Sequence, residues 1–398
     1  MGLSFALPDL SHPDSFEDGF PHEVFRALRR ESPVHWHEGD YQGGRGYWIL
    51  SRYDTIKAVS RQPELFGSAA GAGIEDREDF TTLISMDPPQ HRRYRSLVAG
   101  GFTPRQIAGQ EPHHRDIVAS ILDAVAPRGE CDFVVDVAAE LPLRVIAELL
   151  GVPQSICPQI FAWSNKMIGN QDPEYAVDLA EAAAAATEMY AYVNGLAEER
   201  LAEPQEDLIS ALLHGEVDGH KLSVLEFDTF FLLLSVAGNE TTRNLISHGL
   251  LLLLEHPEAL ERLRAEPRLL PGAIEEMLRF RPPVYSMRRT ALEDTELEGH
   301  EILKGDKLMM YYPSANRDEA HFERPDDFDI ERKHNHHLAF GVGEHFCIGT
   351  HLARLETRVM FEGVLERMRD IELAGPVPTL RSNLIDGVKH MPIRFESS

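Results

Sequence analysis

The sequence predicts a mainly α-helical protein with small β-sheets, which is the α+β class. Beyond Pro104 most of the chain reads as helices separated by prolines, and one of these helices is unusually long. Short strand-like runs lie near the two ends of the chain and indicate a small sheet at each end. Because this pattern fits one mixed unit better than two, we expect a single domain over residues 1–398. The strand-like runs are Val34–Trp36, Tyr47–Leu50, Lys307–Tyr312 and Pro392–Phe395.

The composition excludes several classes of partner. The chain has 398 residues and a net charge of −26, so nucleic acid and anionic membrane surfaces are unfavourable partners. Its three cysteines give no disulfide framework and fit a reducing compartment. The N-terminus lacks the basic region of a secretory signal, and the longest apolar stretches are too short to span a bilayer. We therefore expect a soluble, cytoplasmic protein without a membrane anchor.

The longest predicted helix begins at a capping box formed by Ser223 and Glu226. No proline follows until Pro257, which allows about 33 residues, or about 50 Å of helix. Its residues are apolar nearly all round, as expected for a helix that crosses the centre of a large core.

A polar segment (residues 237–242, Ala-Gly-Asn-Glu-Thr-Thr) interrupts this helix. Glycine, asparagine and threonine are poor residues for a helix interior, and a buried carboxylate without a partner is costly. One interpretation is a solvent-facing stripe or a satisfied kink, which also suits the next residues, Arg243-Asn244. The other is an opening in the helix, where Gly238 leaves room for a ligand, Thr241 holds a water and Glu240 passes protons.

A glycine-rich stretch, the cysteine loop (Phe340–Gly349), leads into another predicted helix. Gly341 and Gly343 permit unusual backbone dihedrals and a close approach to a flat surface, and Gly349 permits close approach beside Cys347. The start of the following helix supplies free N–H groups that stabilise a thiolate. The alternative is a buried cysteine in a turn, but ten consecutive positions suit a thiolate bound to a large planar cofactor.

The pattern Phe-Gly-x-Gly-x-His-x-Cys-x-Gly, continued by Leu352-Ala353-Arg354, resembles the haem-binding loop of the cytochrome P-450 family. The polar segment resembles the oxygen-activating motif of the same family, and the motifs follow in family order over nearly the whole chain. The resemblance implies the family's prism fold, with the long central helix over the haem. It also implies haem b, iron protoporphyrin IX, as the cofactor.

The resemblance implies a role for each matching residue. Cys347 is the metal ligand, an axial thiolate on the iron, while Glu240 and Thr241 are the catalytic pair that handles protons. Four residues match the family's donors to the haem propionates, and two of them lie four apart on one helix face. The implied cofactor-binding residues are Cys347, His91, Arg95, Arg289, His345, Phe340, Gly341 and Gly349.

A further motif pairs Glu276 with Arg279, three residues apart on one helix face. Taken alone it indicates a surface ion pair of little energetic value. In this position it resembles the structural ion pair of the family, whose third partner is an arginine. Arg332 is the candidate for that partner, and Arg324 is the alternative.

The histidines near Cys347 could also indicate a zinc site. His334, His336, His337 and His345 all lie close to it in sequence. Their spacing does not match the usual paired-ligand patterns of zinc sites, and zinc does not explain the glycines.

The implied reaction inserts one atom of O2 into an organic substrate and reduces the other atom to water. The predicted walls of the substrate pocket are mostly apolar, which favours a lipophilic small molecule. Residues 237–244 resemble relatives that oxidise steroids, terpenoids and branched lipids. The walls are the loop before Asp87, the region 161–181, Leu232–Ala237, Pro283–Met287 and Asn383–Val388.

The sequence contains no nucleotide or flavin fingerprint, so the electrons must come from separate proteins. The resemblance implies a ferredoxin and a ferredoxin reductase, and Arg92 and Arg93 are candidate contacts for an acidic ferredoxin. A peroxide-driven peroxygenase is one alternative, although the Glu240–Thr241 pair argues against it. A non-catalytic haem protein that binds a ligand or senses a gas is another.

Overall fold

The structure is a computed structural model that describes residues 6–39, 46–75, 82–175, 178–216, 219 and 221–397. The described part is mainly helical. Its α-helices, labelled in chain order, are α1 (His22–Glu31), α2 (Tyr53–Ser60), α3 (Gln90–Ala99), α4 (Pro104–Gly109), α5 (Glu111–Val125), α6 (Glu140–Leu150), α7 (Cys157–Ile168), α8 (Leu179–Ala202), α9 (Leu208–His214), α10 (Val224–Glu255), α11 (Pro257–Ala265), α12 (Leu270–Phe280), α13 (Tyr312–Ala315) and α14 (Thr350–Arg367).

The strands form sheets of five, three and two members within the described ranges. The five-stranded sheet has the order β1-β2-β8-β5-β3, and the three-stranded sheet has the order β4-β10-β9. The strands are β1 (Val34–His37), β2 (Tyr47–Leu50), β3 (Phe66–Gly67), β4 (Glu130–Asp132), β5 (Ser286–Ala291), β6 (Thr295–Leu297), β7 (His300–Ile302), β8 (Lys307–Tyr311), β9 (Met368–Leu373) and β10 (Pro392–Ser397).

The predicted strand positions are confirmed, but the prediction of one sheet at each end of the chain is wrong. Strand β2 pairs in parallel with β8, through Trp48 opposite Leu308 and Leu50 opposite Met310. Residues more than 250 positions apart therefore share one sheet. Pairing between distant strands depends on tertiary packing, which local periodicity does not report.

The predicted long helix is confirmed as α10. Ser223 Oγ accepts the Glu226 N–H, and the Glu226 carboxylate accepts the Ser223 N–H at 2.8 Å, which completes the capping box. The helix is buried along most of its length and packs against α6, α8, α12 and α14. Each large apolar side chain it buries, such as Phe230 or Phe231, contributes about 1.5–3 kcal/mol. No helix in the described ranges is long and apolar enough to cross a membrane.

Helix α14 follows the cysteine loop, as its apolar spacing predicts. Leu352, Leu355 and Val359 are buried, and the helix packs against α5 and α10. Its N-terminus therefore holds Cys347 at a fixed place relative to the central helix.

The pair Glu276–Arg279 is an internal ion pair and not a surface one. Both side chains have 0% exposure, with Arg279 Nη2 2.7 Å from Glu276 Oε1. Arg332 Nε lies 3.0 Å from Glu276 Oε2, so Arg332 is the third partner. Arg324 pairs with Asp327 instead, at 3.2 Å. Removing one member of such a buried group costs about 3–5 kcal/mol, because the others keep an unpaired charge.

Candidate active site

Main-chain contacts shape the cysteine loop. The Cys347 N–H donates to the Phe340 carbonyl at 2.9 Å, which closes the loop on itself. Gly341 has φ +68°, in the left-handed region that glycine adopts without strain. A Cβ on Gly343 would lie 2.4 Å from the Ser60 carbonyl oxygen at the end of α2. Gly343 has φ +82°, as predicted from sequence, and its missing side chain also makes room for α2; its approach to a flat ligand stays a prediction.

The sulfur of Cys347 lies just before α14, in a partly accessible position. A Cβ added at Gly349 would lie 3.9 Å from Cys347 Sγ, so the chain passes close to the sulfur there. Burial raises the pKa of the Cys347 thiol. A hydrogen bond from the Gly349 backbone and the charges of Arg95 and Arg354 act in the opposite direction. The loop thus offers the sulfur the donor and the positive charges that a thiolate requires.

The four predicted propionate donors come together beside this loop as a basic cluster (His91, Arg95, Arg289 and His345). The rings of His91 and His345 lie 4.1 Å apart, centroid to centroid. Burial, followed by the charges of Arg289, His91 and Arg95, lowers the pKa of His345 to about 3. His345 is therefore neutral at physiological pH and can act as a hydrogen-bond donor.

The basic cluster is short of acidic partners. Arg95 Nη2 donates to the Phe346 carbonyl at 2.6 Å, and Arg289 Nη1 donates to the Arg288 carbonyl at 2.8 Å. Among the described residues neither guanidinium pairs with a carboxylate, although burial lowers the pKa of both. His91 Nδ1 is buried without a hydrogen-bond partner. Uncompensated buried charge is costly, so the donor set fits a ligand that carries carboxylates, as haem does.

One face of the central helix is accessible at the polar segment. Ala237 is exposed and Thr241 is half-buried, whereas Asn239, Glu240 and Thr242 are buried. Thr241 Oγ1 donates to the Ala237 carbonyl at 2.8 Å, so its hydroxyl competes for a backbone acceptor of the helix. Ala237 and Thr241, one turn apart, therefore share the accessible face.

The explanation predicted for Gly238 is wrong. A Cβ at this position would lie 3.2 Å from Ile146 Cδ1 of α6. The missing side chain makes room for a neighbouring helix and not for a ligand.

Glu240 forms a buried ion pair. Its Oε2 lies 2.5 Å from Arg243 Nη2, and the two side chains are 1% and 2% exposed. Arg243 Nη1 also donates to Asn165 Oδ1 of α7 at 2.8 Å. Burial raises the pKa of Glu240, and Arg243 opposes that rise. Arg243 and Asn244 are both buried, at 2% and 0% exposure. The interpretation that placed these two residues on a solvent-facing stripe is therefore wrong.

Sequence reasoning missed a second buried acid. Glu356 on α14 is 1% exposed, and burial raises its pKa to about 8, against the effect of a hydrogen bond from Thr242. Glu356 therefore holds a proton at neutral pH, and its partner Thr242 directly follows Thr241 on α10. The available signal was its position between Leu352 and Val359 on the buried face, where an acid is unusual.

Two other sequence expectations concern the surroundings of the site. Arg92 is exposed, as a docking residue must be, but its guanidinium pairs with Glu344, with Nε 3.0 Å from Oε2.

Across the described ranges no group of three or more His, Cys, Asp or Glu side chains could hold a metal ion. His337 Nε2 lies 3.2 Å from a Glu275 carboxylate oxygen.

The chain is similar to known proteins over nearly its whole length. The family model described as Cytochrome P450 matches residues 178–381. A steroid C26-monooxygenase of Rhodococcus jostii is 39% identical, with 98% of this chain and 85% of the relative covered. A methyl-branched lipid omega-hydroxylase of Mycobacterium tuberculosis is 40% identical, with 96% and 92% covered. A solved structure of a Mycobacterium marinum cytochrome P450 in complex with pseudoionone has a TM-score of 0.92 and 35% identity, with 98% and 100% covered.

Proposed function

Because the chain belongs to the cytochrome P450 family and is a P450 monooxygenase, we propose that it oxidises a lipophilic small molecule at a haem bound to Cys347. The observation that carries this proposal is the basic cluster, in which two arginines that pair with no carboxylate of the described ranges lie beside the loop that presents the sulfur. A haem has one position for a thiolate and two carboxylates at its edge, and this chain offers a matching set of groups.

Haem b is the proposed cofactor, held by Cys347 and by the basic cluster, with Phe340, Gly341 and Gly349 shaping the loop. When bound, the haem iron supplies the activation of O2, so that one oxygen atom enters the substrate and the other leaves as water. Arg95 and Arg289 would exchange their backbone acceptors for charged ones, which makes stronger hydrogen bonds. The Gly349 N–H would continue to donate to the sulfur and temper its electron donation.

In this proposal, Glu240 and Thr241 carry protons to the accessible face of α10. The Thr241 hydroxyl lies on that face and can turn from the Ala237 carbonyl to a water or ligand. Glu240 lies behind it, held by Arg243 in a site shielded from solvent. The Glu240 carboxylate takes up a proton that comes from solvent and is then the proton donor of the pair, and Thr241 delivers that proton at the accessible face.

The proposed substrate is a steroid, a terpenoid or a branched lipid. The names of two similar proteins describe a C26 steroid monooxygenase and an omega-hydroxylase of methyl-branched lipids, and a third protein binds pseudoionone. Carbon 26 of a steroid is one of two methyl groups on the last branched carbon of its side chain, and the hydrocarbon tail of pseudoionone likewise ends in a carbon that bears two methyl groups. We therefore expect oxidation at the branched end of a hydrocarbon chain.

A ferredoxin and its reductase are the proposed electron donors, and the cytoplasm is the proposed location. All three cysteines are free in the structure, which suits a reducing compartment. Arg92 and Arg93 remain the proposed contacts for the ferredoxin. Since Glu344 already pairs with Arg92, docking there requires the ferredoxin to compete with an internal carboxylate.

The test is a binding and turnover experiment with the haem-loaded protein. Cholesterol, phytanic acid and pseudoionone are titrated while the haem spin state is followed, and each binder is then incubated with ferredoxin, its reductase and NADH. We expect at least one compound to shift the spin state and to be hydroxylated at its branched end. Turnover with hydrogen peroxide alone would indicate a peroxygenase, and binding without turnover under either condition would indicate a ligand binder or sensor.

A further inference from the structure

Two segments that the sequence places in the pocket walls are joined to each other by buried charges. The connecting loop (Gly169–Tyr175) lies between α7 and α8, and the C-terminal segment (Arg381–Met391) lies between β9 and β10. Asp172 of the loop is 1% exposed. Its carboxylate accepts the backbone N–H of Arg381 at 2.9 Å and lies 3.2 Å from Lys389 Nζ. One buried carboxylate thus contacts the C-terminal segment at two points eight residues apart.

Further contacts strengthen this junction. Arg381 Nη1 donates to the Gln171 carbonyl at 2.5 Å, and Lys389 Nζ lies 2.9 Å from Glu174. His390 bridges Glu174 and Asp132, with its two ring nitrogens 2.6 Å and 2.5 Å from their carboxylates. Glu174 is partly exposed, so Asp172 is the member of this group that is fully removed from water. A charge-assisted contact is least screened in such a place.

The central helix holds the same C-terminal segment from its other side. Asn244 Oδ1 accepts the Val388 N–H at 3.1 Å. His248 Nε2 lies 2.9 Å from the Asp386 carbonyl oxygen and 3.2 Å from its carboxylate. The segment between Arg381 and Lys389 is therefore fixed at one face by α10 and at the other by Asp172.

The connecting loop also reaches the proposed proton donor. Burial raises the pKa of Tyr175, and the charges of Arg243 and then Glu240 also act on it, so that ion pair is within electrostatic range of the loop. The Tyr175 N–H donates to the Asp172 carbonyl at 3.1 Å, within one turn of the loop. A displacement of Asp172 would thus move both a wall of the pocket and the surroundings of Glu240.

We propose that Asp172 is a positioning residue that fixes the C-terminal segment against the connecting loop and thereby sets how well a lipophilic substrate fits. This inference rests on the proposed function, because it assumes that Asn383–Val388 faces the substrate. Asp172 does not touch the substrate. Its charge acts through Lys389 and through the two backbone N–H groups that it accepts, those of Arg381 and Glu174.

The experiment compares D172N with D123N, since Asp123 is an exposed partner of Arg367 on a different part of the surface. Asparagine keeps the size of the side chain but removes the buried one of the two carboxylates that hold Lys389, the other being that of Glu174. We expect D172N to weaken the binding of pseudoionone by about tenfold and to raise KM by a similar factor, with kcat changed less. K389M is expected to do the same, and D172N/K389M to be no worse than either single variant. D123N should match the wild type.

The readouts separate this proposal from simple destabilisation and from failure of the proposed function. If D172N lowers only the melting temperature and binds pseudoionone as the wild type does, the positioning role is wrong. Additive losses in D172N/K389M would also contradict it, because the two residues would then act independently. If the wild type shows no spin-state shift with pseudoionone, the compound of the panel with the largest shift replaces it in the same comparison. If none of the three compounds shifts the spin state, the substrate class under the proposed function is wrong.

Discussion

The cysteine loop and the polar segment of α10 form the two sides of the proposed site, and they are built by opposite means. Main-chain groups order the loop, through the Cys347 N–H to the Phe340 carbonyl and a left-handed Gly341. Side chains order the polar segment, through the buried Glu240–Arg243 pair and the Thr241 hydroxyl. The loop is therefore ordered mainly by its own main chain, and the helix segment is ordered by buried side chains, with Asn165 of α7 as a further partner of Arg243.

This difference has a consequence for mutation. A substitution in the loop that leaves the backbone unchanged should alter the chemistry of the sulfur without loss of the fold. A substitution in the polar segment removes a partner from a buried charge, so it should affect both function and stability. The predictions below test this contrast, from the largest expected effect to the smallest.

Replacement of Cys347 by serine should abolish product formation. A hydroxyl in place of the thiolate cannot supply the electron donation that favours O–O cleavage, and the red-shifted carbonyl complex should disappear. The measurement is the carbonyl difference spectrum together with product analysis. Cys157→Ser is the control, because Cys157 is a buried cysteine whose pKa burial raises to about 11, which makes it inert. An unchanged spectrum in Cys347→Ser would remove Cys347 as the ligand.

Replacement of Thr241 by alanine should leave haem binding intact but lower product formed per NADH by about tenfold or more, with the electrons diverted to peroxide. A positioned proton donor typically contributes a factor of about 10²–10⁴, part of which water can replace. The measurement is the ratio of product to peroxide. Thr241→Ser keeps the hydroxyl and should restore most of the coupling. Full coupling in Thr241→Ala would show that its hydroxyl does not handle protons.

Replacement of Arg243 by methionine should destabilise the protein by about 3–5 kcal/mol, because it leaves the Glu240 carboxylate buried without a partner. The added substitution Glu240→Gln should recover part of this loss, since a neutral amide is less costly to bury. The measurement is denaturant unfolding of the haem-loaded variants. Arg394→Met is the matched control, as Arg394 is 62% exposed and 3.8 Å from Glu130. Equal stability of Arg243→Met and the wild type would show that the pair contributes nothing to the fold.

Much of the site could be predicted from sequence because its signals are local. Capping at Ser223, the apolar spacing of α14 and the ten positions of the cysteine loop are each read within one or two turns of chain. The basic cluster was predicted only through the family resemblance, because its members come from three distant parts of the sequence. Glu356 was not predicted, since its position between Leu352 and Val359 is a weak signal and only the packing of α14 against α5 and α10 shows that the acid is buried.

The sequence by itself determined the class of fold, the long central helix, the cysteine loop and the Glu240–Thr241 pair, because local periodicity, capping and contiguous motifs specify them. Only the tertiary structure decided which charges meet. It placed Asn165 on Arg243, Ile146 beside Gly238, Arg332 on Glu276 and Lys389 on Asp172. The physical reason is that the free energy of a charge or a glycine depends on what surrounds it, and those surroundings come from residues far away along the chain.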